Sequence, residues 1–125
     1  MTLEYFSYET DPMLACPCCG EQGMNESFMI KLDDMRAALG VPFVINSGYR
    51  CPSYNLEVSS TGRNGPHTTG RAVDISARGR NKYLIAGRAM AEGMTRFGMG
   101  RTFIHIDDLG APEGFDERVI WTYST

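Results

Sequence analysis

Apolar residues along the chain fall into short periodic stretches separated by glycine- and proline-containing segments. Phe28, Leu32, Met35 and Leu39 recur at helical spacing and predict one buried face of a helix over Glu26 to Leu39. Asn25 offers an N-cap oxygen to that helix, and Gly40 a stop. Phe43 to Asn46 reads as a strand that runs into a turn at Ser47-Gly48-Tyr49-Arg50. Pro52 opens a short helix to about Val58. Arg71 to Ser76 alternates, with Ala72, Asp74 and Ser76 on one side and Val73 and Ile75 on the other, so it predicts a strand. Asn81 is the expected cap of a second long helix reaching about Arg96, with Ile85, Ala89 and Met90 turned inward. Gly98 and Gly100 are read as a turn before a strand at Phe103 to Asp107, and Val119 to Tyr123 as a closing strand. The rest is an irregular arm over about 1–23, with short strand pieces, and a polar, flexible loop at 59–66. The predicted class is α+β: a small antiparallel sheet flanked by two main helices.

Length and composition narrow this picture. A chain of 125 residues is read as one domain spanning 1–125, large enough to bury a core. Its 42% hydrophobic and 22% charged residues are those of an ordinary globular protein. No run of about 18 apolar residues occurs, so no spanning helix is expected. A net charge of −3 without a basic stripe argues against nucleic acid as a partner. The first residues lack the basic-then-apolar layout of a signal peptide, so synthesis in the cytoplasm is expected. The eight methionines are read as fillers of core gaps.

The candidate chemistry centres on Gly65-Pro-His67-Thr-Thr-Gly70-Arg-Ala-Val-Asp74-Ile75. The second of the two histidines, His105, lies in Phe103-Ile-His-Ile-Asp107. Gly70 lets the loop carrying His67 turn back over the strand with Asp74. If the two strands are neighbours, Asp74, His105 and Asp107 converge beneath His67. Two imidazoles and one carboxylate leave an open position on a tetrahedral ion, the pattern of a catalytic rather than a structural zinc site. Hydrolysis at such a site also needs a carboxylate to carry the proton and a cation for a developing oxyanion or a substrate carboxylate. Arg50 suits the second role, because a guanidinium grips a carboxylate through two parallel hydrogen bonds.

These residues resemble the zinc D-alanyl-D-alanine carboxypeptidase family (peptidase M15A-like, with the hedgehog/DD-peptidase fold), which also holds phage endolysins. The family pattern Ser-x-His-x-x-Gly-x-Ala-x-Asp, followed later by a histidine on a strand, is matched here by His67, Gly70, Ala72, Asp74 and His105, with Gly65 in place of the serine. The segment Ser47-Gly-Tyr-Arg50-Cys-Pro-Ser-Tyr-Asn55 resembles the family's substrate-binding arginine segment. The resemblance runs from about Cys16 to Tyr123. It implies a zinc peptidase of peptidoglycan stem peptides or cross-links, either a carboxypeptidase or an endolysin-type endopeptidase, with His67, Asp74 and His105 on the metal and Arg50 and Tyr49 on the substrate. It also implies action at the cell wall, as for a lysin released during phage growth, and a monomer is expected.

Two points stay open. Many relatives carry an acid three residues before the last histidine, where this chain has Thr102. Asp107 is the expected substitute as proton shuttle, Asp108 the second choice, and Asp107 is also an alternative to His105 as ligand. Cys16, Cys18, Cys19 and Cys51 are read as structural, whether metal-bound, disulfide-bonded or reduced. The alternatives to a peptidase are a catalytically silent zinc-containing binding module, told apart by zinc binding without hydrolysis, and a metal-free virion protein, told apart by failure to bind zinc.

Overall fold

The computed structural model describes residues 2–123 and is α+β. Helix α1 (Glu26–Leu39) begins where Asn25 Oδ1 accepts the Phe28 N–H at 3.0 Å, and it ends at Gly40, whose φ of 67° is the left-handed cap. Phe28, Met29, Leu32 and Met35 are its buried face. Strand β1 (Val44–Ser47) leads through the Arg50 turn into the short helix α2 (Pro52–Val58). Strand β2 (Ala72–Ser76), helix α3 (Gly79–Ala91), and strands β3 (Arg96–Met99), β4 (Phe103–Asp107) and β5 (Val119–Thr122) complete the chain.

The sheet order is β1-β2-β4-β3-β5. It is mixed rather than antiparallel as expected, because β5 runs parallel to β3. Arg96 stands in register with both Asp107 and Val119. The segment after β4 therefore stays at the end of the sheet where β3 starts, and β5 leaves in the same direction as β3. The arm before α1 holds a 3-10 turn at Pro12–Leu14, and no strand forms there among the described residues.

The second long helix also departs from expectation. It spans Gly79–Ala91, Asn81 lies inside it, and Arg96 belongs to β3. Gly93, at φ 87°, provides the stop, and the Met94 N–H closes the end on Ala89 O at 2.9 Å. Ile85, Ala86 and Ala89 face inward, whereas Met90 is exposed. Gly98 is a strand residue, not a turn. A side chain there would run into the Trp121 indole and the Tyr123 hydroxyl, so the strand needs a residue without Cβ for these two to lie across it.

Strand alternation divides the sheet into two faces. Val73, Ile75, Ile104, Ile106 and Phe97 pack with α1 and α3 into one hydrophobic core. Asp74, His105, Asp107, Arg96 and Gly98 belong to the other face. One ion network ties the site strands to α1. Asp108, with a side chain only 2% exposed, takes the Arg71 Nε–H at 2.8 Å and Lys31 Nζ at 2.8 Å. Arg71 also donates to Asn25 Oδ1, the atom that caps α1.

Burial alone would raise the Asp108 pKa, but hydrogen bonds from Arg71 and Lys31 outweigh it and hold the carboxyl below its usual value. A lowered folded pKa means that stability is present above the unfolded carboxyl value of about 3.9 and is lost as pH falls through the folded value. Asp108→Asn is expected to lower stability by about 3 kcal/mol at neutral pH and to blunt the loss of stability in acid. Urea unfolding at neutral and acid pH measures both, and an unchanged neutral midpoint would mean that the network contributes nothing.

Candidate metal centre and peptide cleft

Asp74 and His105 lie directly opposite each other in the β2–β4 ladder. His67 comes from a 3-10 turn at Pro66–Thr69 that ends at Gly70, with φ 76°. A side chain at Gly70 would collide with the Gly23 carbonyl, so this turn requires glycine in both conformation and space. The strands and the turn thus bring together the three residues read from the sequence as metal ligands. One ligand atom from each of His67, Asp74 and His105 lies within 4.8 Å of the others.

The hydrogen bonds fix which atoms these are. His67 Nδ1 lies 2.7 Å from the Gly48 carbonyl, which can only accept, so Nδ1 carries the proton. Its Nε2 lone pair then points at Asp74 Oδ1, 3.4 Å away. His105 Nε2 lies 2.7 Å from the fully buried Asp107 Oδ2, and in the tautomer that donates there Nδ1 is left with a lone pair. Its Nδ1 lone pair faces the same Asp74 oxygen at 3.0 Å. Two nitrogen lone pairs and a carboxylate oxygen therefore converge on one point, with the rings edge to face at 5.1 Å. Acceptors gathered in this way need a cation, either a proton or a metal ion.

Protonation equilibria reflect that need. With protons in place of a metal ion, burial would raise the Asp74 pKa, but hydrogen bonds from the His105 and His67 nitrogens then protonated toward it hold it well below the usual carboxylate range. Burial would lower the His105 pKa, but hydrogen bonds to Asp107 and Asp74 outweigh it and the net shift is upward. The donor set of two imidazoles and one carboxylate fits zinc, with a fourth position left open. The Gly48 carbonyl and Asp107 each hold the far nitrogen of a histidine, the usual support for metal-bound imidazole.

The three residues line one cleft of about 470 Å³ with Arg50, Pro66, Arg96, Phe103, Trp121 and Tyr123, and with the 58–61 segment. Arg50 is anchored from both sides: its Nε donates to Ser47 Oγ at 3.1 Å and its Nη1 to Asn55 Oδ1 at 3.1 Å. Its Nη2 lies 3.8 Å from Asp74 Oδ2, so the guanidinium borders the metal centre.

Two expected site residues lie elsewhere. Tyr49 is buried against Gly23 and donates to Glu21 Oε2 at 3.3 Å; it does not line the cleft, because in the turn after β1 its ring packs toward the N-terminal arm. Asp107 shares the face of His105 as expected, but its side chain is fully buried. Its oxygens take His105, the Leu109 N–H at 3.1 Å and Arg96 Nε at 3.2 Å, so it does not reach the cleft. Thr102 is exposed, and Asp108 is held in the Arg71 network. Among the described residues, Asp74 is the sole carboxylate lining the cleft.

The sequence reading missed Arg96, Trp121 and Tyr123. Arg96 lies between the Phe115 and Trp121 rings and pairs with Asp107, while Trp121 packs 5.3 Å from the His105 ring. The alternation in Arg96-Phe-Gly-Met99 would have revealed a strand, with Phe97 and Met99 inward and Arg96 outward, had the two glycines not suggested a turn.

A comparison with curated proteins finds no match to this chain. The sequence model of the Peptidase M15 family matches residues 5–107, a span that contains Arg50, His67, Asp74 and His105, and the chain belongs to that family.

Proposed function

We propose that this protein is a zinc-dependent peptidase acting on the stem peptides or cross-links of peptidoglycan. The observation that carries the metal is the convergence of His67 Nε2, His105 Nδ1 and Asp74 Oδ1, with each histidine oriented by its own partner and all three lining one cleft. Family membership supports peptide hydrolysis, and the resemblance of the Arg50 and His67 segments to the D-alanyl-D-alanine carboxypeptidases supports the wall substrate.

Zinc in this site would supply a Lewis acid and a bound water with a pKa near 7. The chain's own residues do the rest. Arg50, fixed by Ser47 and Asn55, offers Nη2 to a substrate carboxylate or to the oxygen of the scissile carbonyl. Trp121, Tyr123 and Phe103 give one wall an apolar surface on which a peptide side chain can lie. Asp107 holds the proton of His105 at Nε2 and so keeps Nδ1 available to the metal. Arg96 in turn balances the buried Asp107 charge. Asp107 is thus assigned as a positioning residue, in place of the proton shuttle expected from its spacing.

One observation favours a second reading, a module that binds wall peptides without cutting them. Asp74 is the sole carboxylate at the cleft among the described residues, and as a metal ligand it is a poor base. Digestion of purified peptidoglycan by zinc-loaded protein, with and without chelator, separates the readings by mass spectrometry. Chelator-sensitive fragments are expected, and His67→Ala is expected to release none. Binding without fragments from fully metallated protein would establish the silent module.

Asp107→Asn is expected to weaken zinc affinity about 10- to 100-fold, as measured by competition with a chromogenic chelator. A proton shuttle would instead keep its metal and lose only rate. Arg50→Ala is expected to cost roughly 100-fold in kcat/KM with zinc content unchanged. Equal kinetics in that variant would confine Arg50 to a structural role.

A further inference from the structure

The N-terminal arm carries a second group of ligating side chains on the far side of the Arg50 loop. Cys16, Cys18 and Cys19 lie in Cys16-Pro-Cys-Cys-Gly20, and Cys51 directly follows Arg50. All four are free thiols, and their sulfurs all lie within 4.8 Å of one another. Cys16 Sγ is 3.6 Å from Cys18 Sγ, which is 3.5 Å from Cys51 Sγ. Sulfurs bound to a tetrahedral zinc at about 2.3 Å stand about 3.8 Å apart. The cluster thus has nearly the dimensions of that coordination shell.

A backbone donor is already aimed at the cluster. The Cys51 N–H points at Cys16 Sγ, 3.3 Å away. Cys16 is buried and anchors the group, while Cys18 and Cys19 are exposed and leave a path of entry. The local fold matches as well. Cys16 and Cys19 have the C-x2-C spacing, and the loop closes by Gly20 N–H to Cys16 O at 2.8 Å and Cys16 N–H to Glu21 O at 2.9 Å.

We propose that Cys16, Cys18, Cys19 and Cys51 bind a structural zinc ion, distinct from the His67–Asp74–His105 centre, that clamps the N-terminal arm to the loop carrying Arg50. Four S–Zn bonds form as four thiol protons leave for solvent. The soft sulfur donors and the closed four-ligand set select zinc and leave no position for a substrate. The clamp bears on the active cleft through backbone bonds. Gly48 N–H donates to Met13 O at 2.9 Å and Tyr49 N–H to Leu14 O at 3.0 Å, so the arm fixes the segment whose Gly48 carbonyl orients His67. A side chain at Gly48 would strike the Leu14 backbone, which shows how closely the two segments pack.

The test uses the full chain, purified under reducing conditions. The expected zinc content is two ions per chain, falling to one in His67→Ala, and that remaining ion is released when an organomercurial titrates the thiols. Cys19→Ser and Cys51→Ser are expected to lose the thiol-bound ion and to unfold at lower temperature. Cobalt loading of the unsubstituted chain is independent of how these variants fold, and it is expected to give intense sulfur-to-cobalt charge-transfer absorption that persists in His67→Ala. Absence of that absorption, or cysteines found in disulfides in protein purified without oxidant, would overturn the proposal. Because the thiol site is read in a chain lacking His67, its failure is separable from failure of the peptidase reading.

Discussion

The candidate site depends on one oxygen atom. Asp74 Oδ1 is approached by nitrogen lone pairs from two histidines, at 3.0 and 3.4 Å, in a region where both imidazoles are buried. Such a meeting of acceptors is unfavourable without a cation between them. The surrounding structure enforces it all the same: each histidine's other nitrogen faces a fixed acceptor, so a proton can point at Asp74 without loss of a buried hydrogen bond only when the ring is doubly protonated.

Those acceptors are set by separate parts of the fold. The Gly48 carbonyl belongs to the Arg50 turn, which the N-terminal arm holds by backbone bonds. Asp107 belongs to the end of β4 and is balanced by Arg96 from β3. The Arg71–Asp108–Lys31 network then fastens the ends of β2 and β4 to α1. The polar groups on the cleft face of the sheet are thus held in place by these bonds, while the opposite face packs into the apolar core. Preorganisation of this kind places the directional groups of a site before substrate arrives.

Much of this arrangement was legible from residue order. The α1 boundaries followed from Asn25, Gly40 and a four-residue apolar face, all local signals. His67, Gly70 and Asp74 lie within eight positions, so their relation is nearly local too, and the alternation at Phe103–Asp107 placed His105 and Asp107 on one face. Arg96, Trp121 and Tyr123 escaped notice because their roles come from pairing between distant segments. Gly98 looked like a turn residue, yet its lack of a side chain is what gives Trp121 and Tyr123 room.

Residue types and their spacing determined the α+β class, the first long helix and the choice of His67, Asp74, His105 and Arg50 for the cleft, because capping, periodicity and short-range turns are encoded locally. The tertiary structure alone decided the parallel entry of β5, the burial of Asp107 and the turn of Tyr49 away from Arg50. It also decided which nitrogen of each histidine faces Asp74, and that Cys51 joins three cysteines more than thirty positions earlier. Each of these depends on which strand lies beside which and on what covers each face. Such contacts form between segments remote in sequence, where side-chain period fixes a face but not the neighbour it will meet.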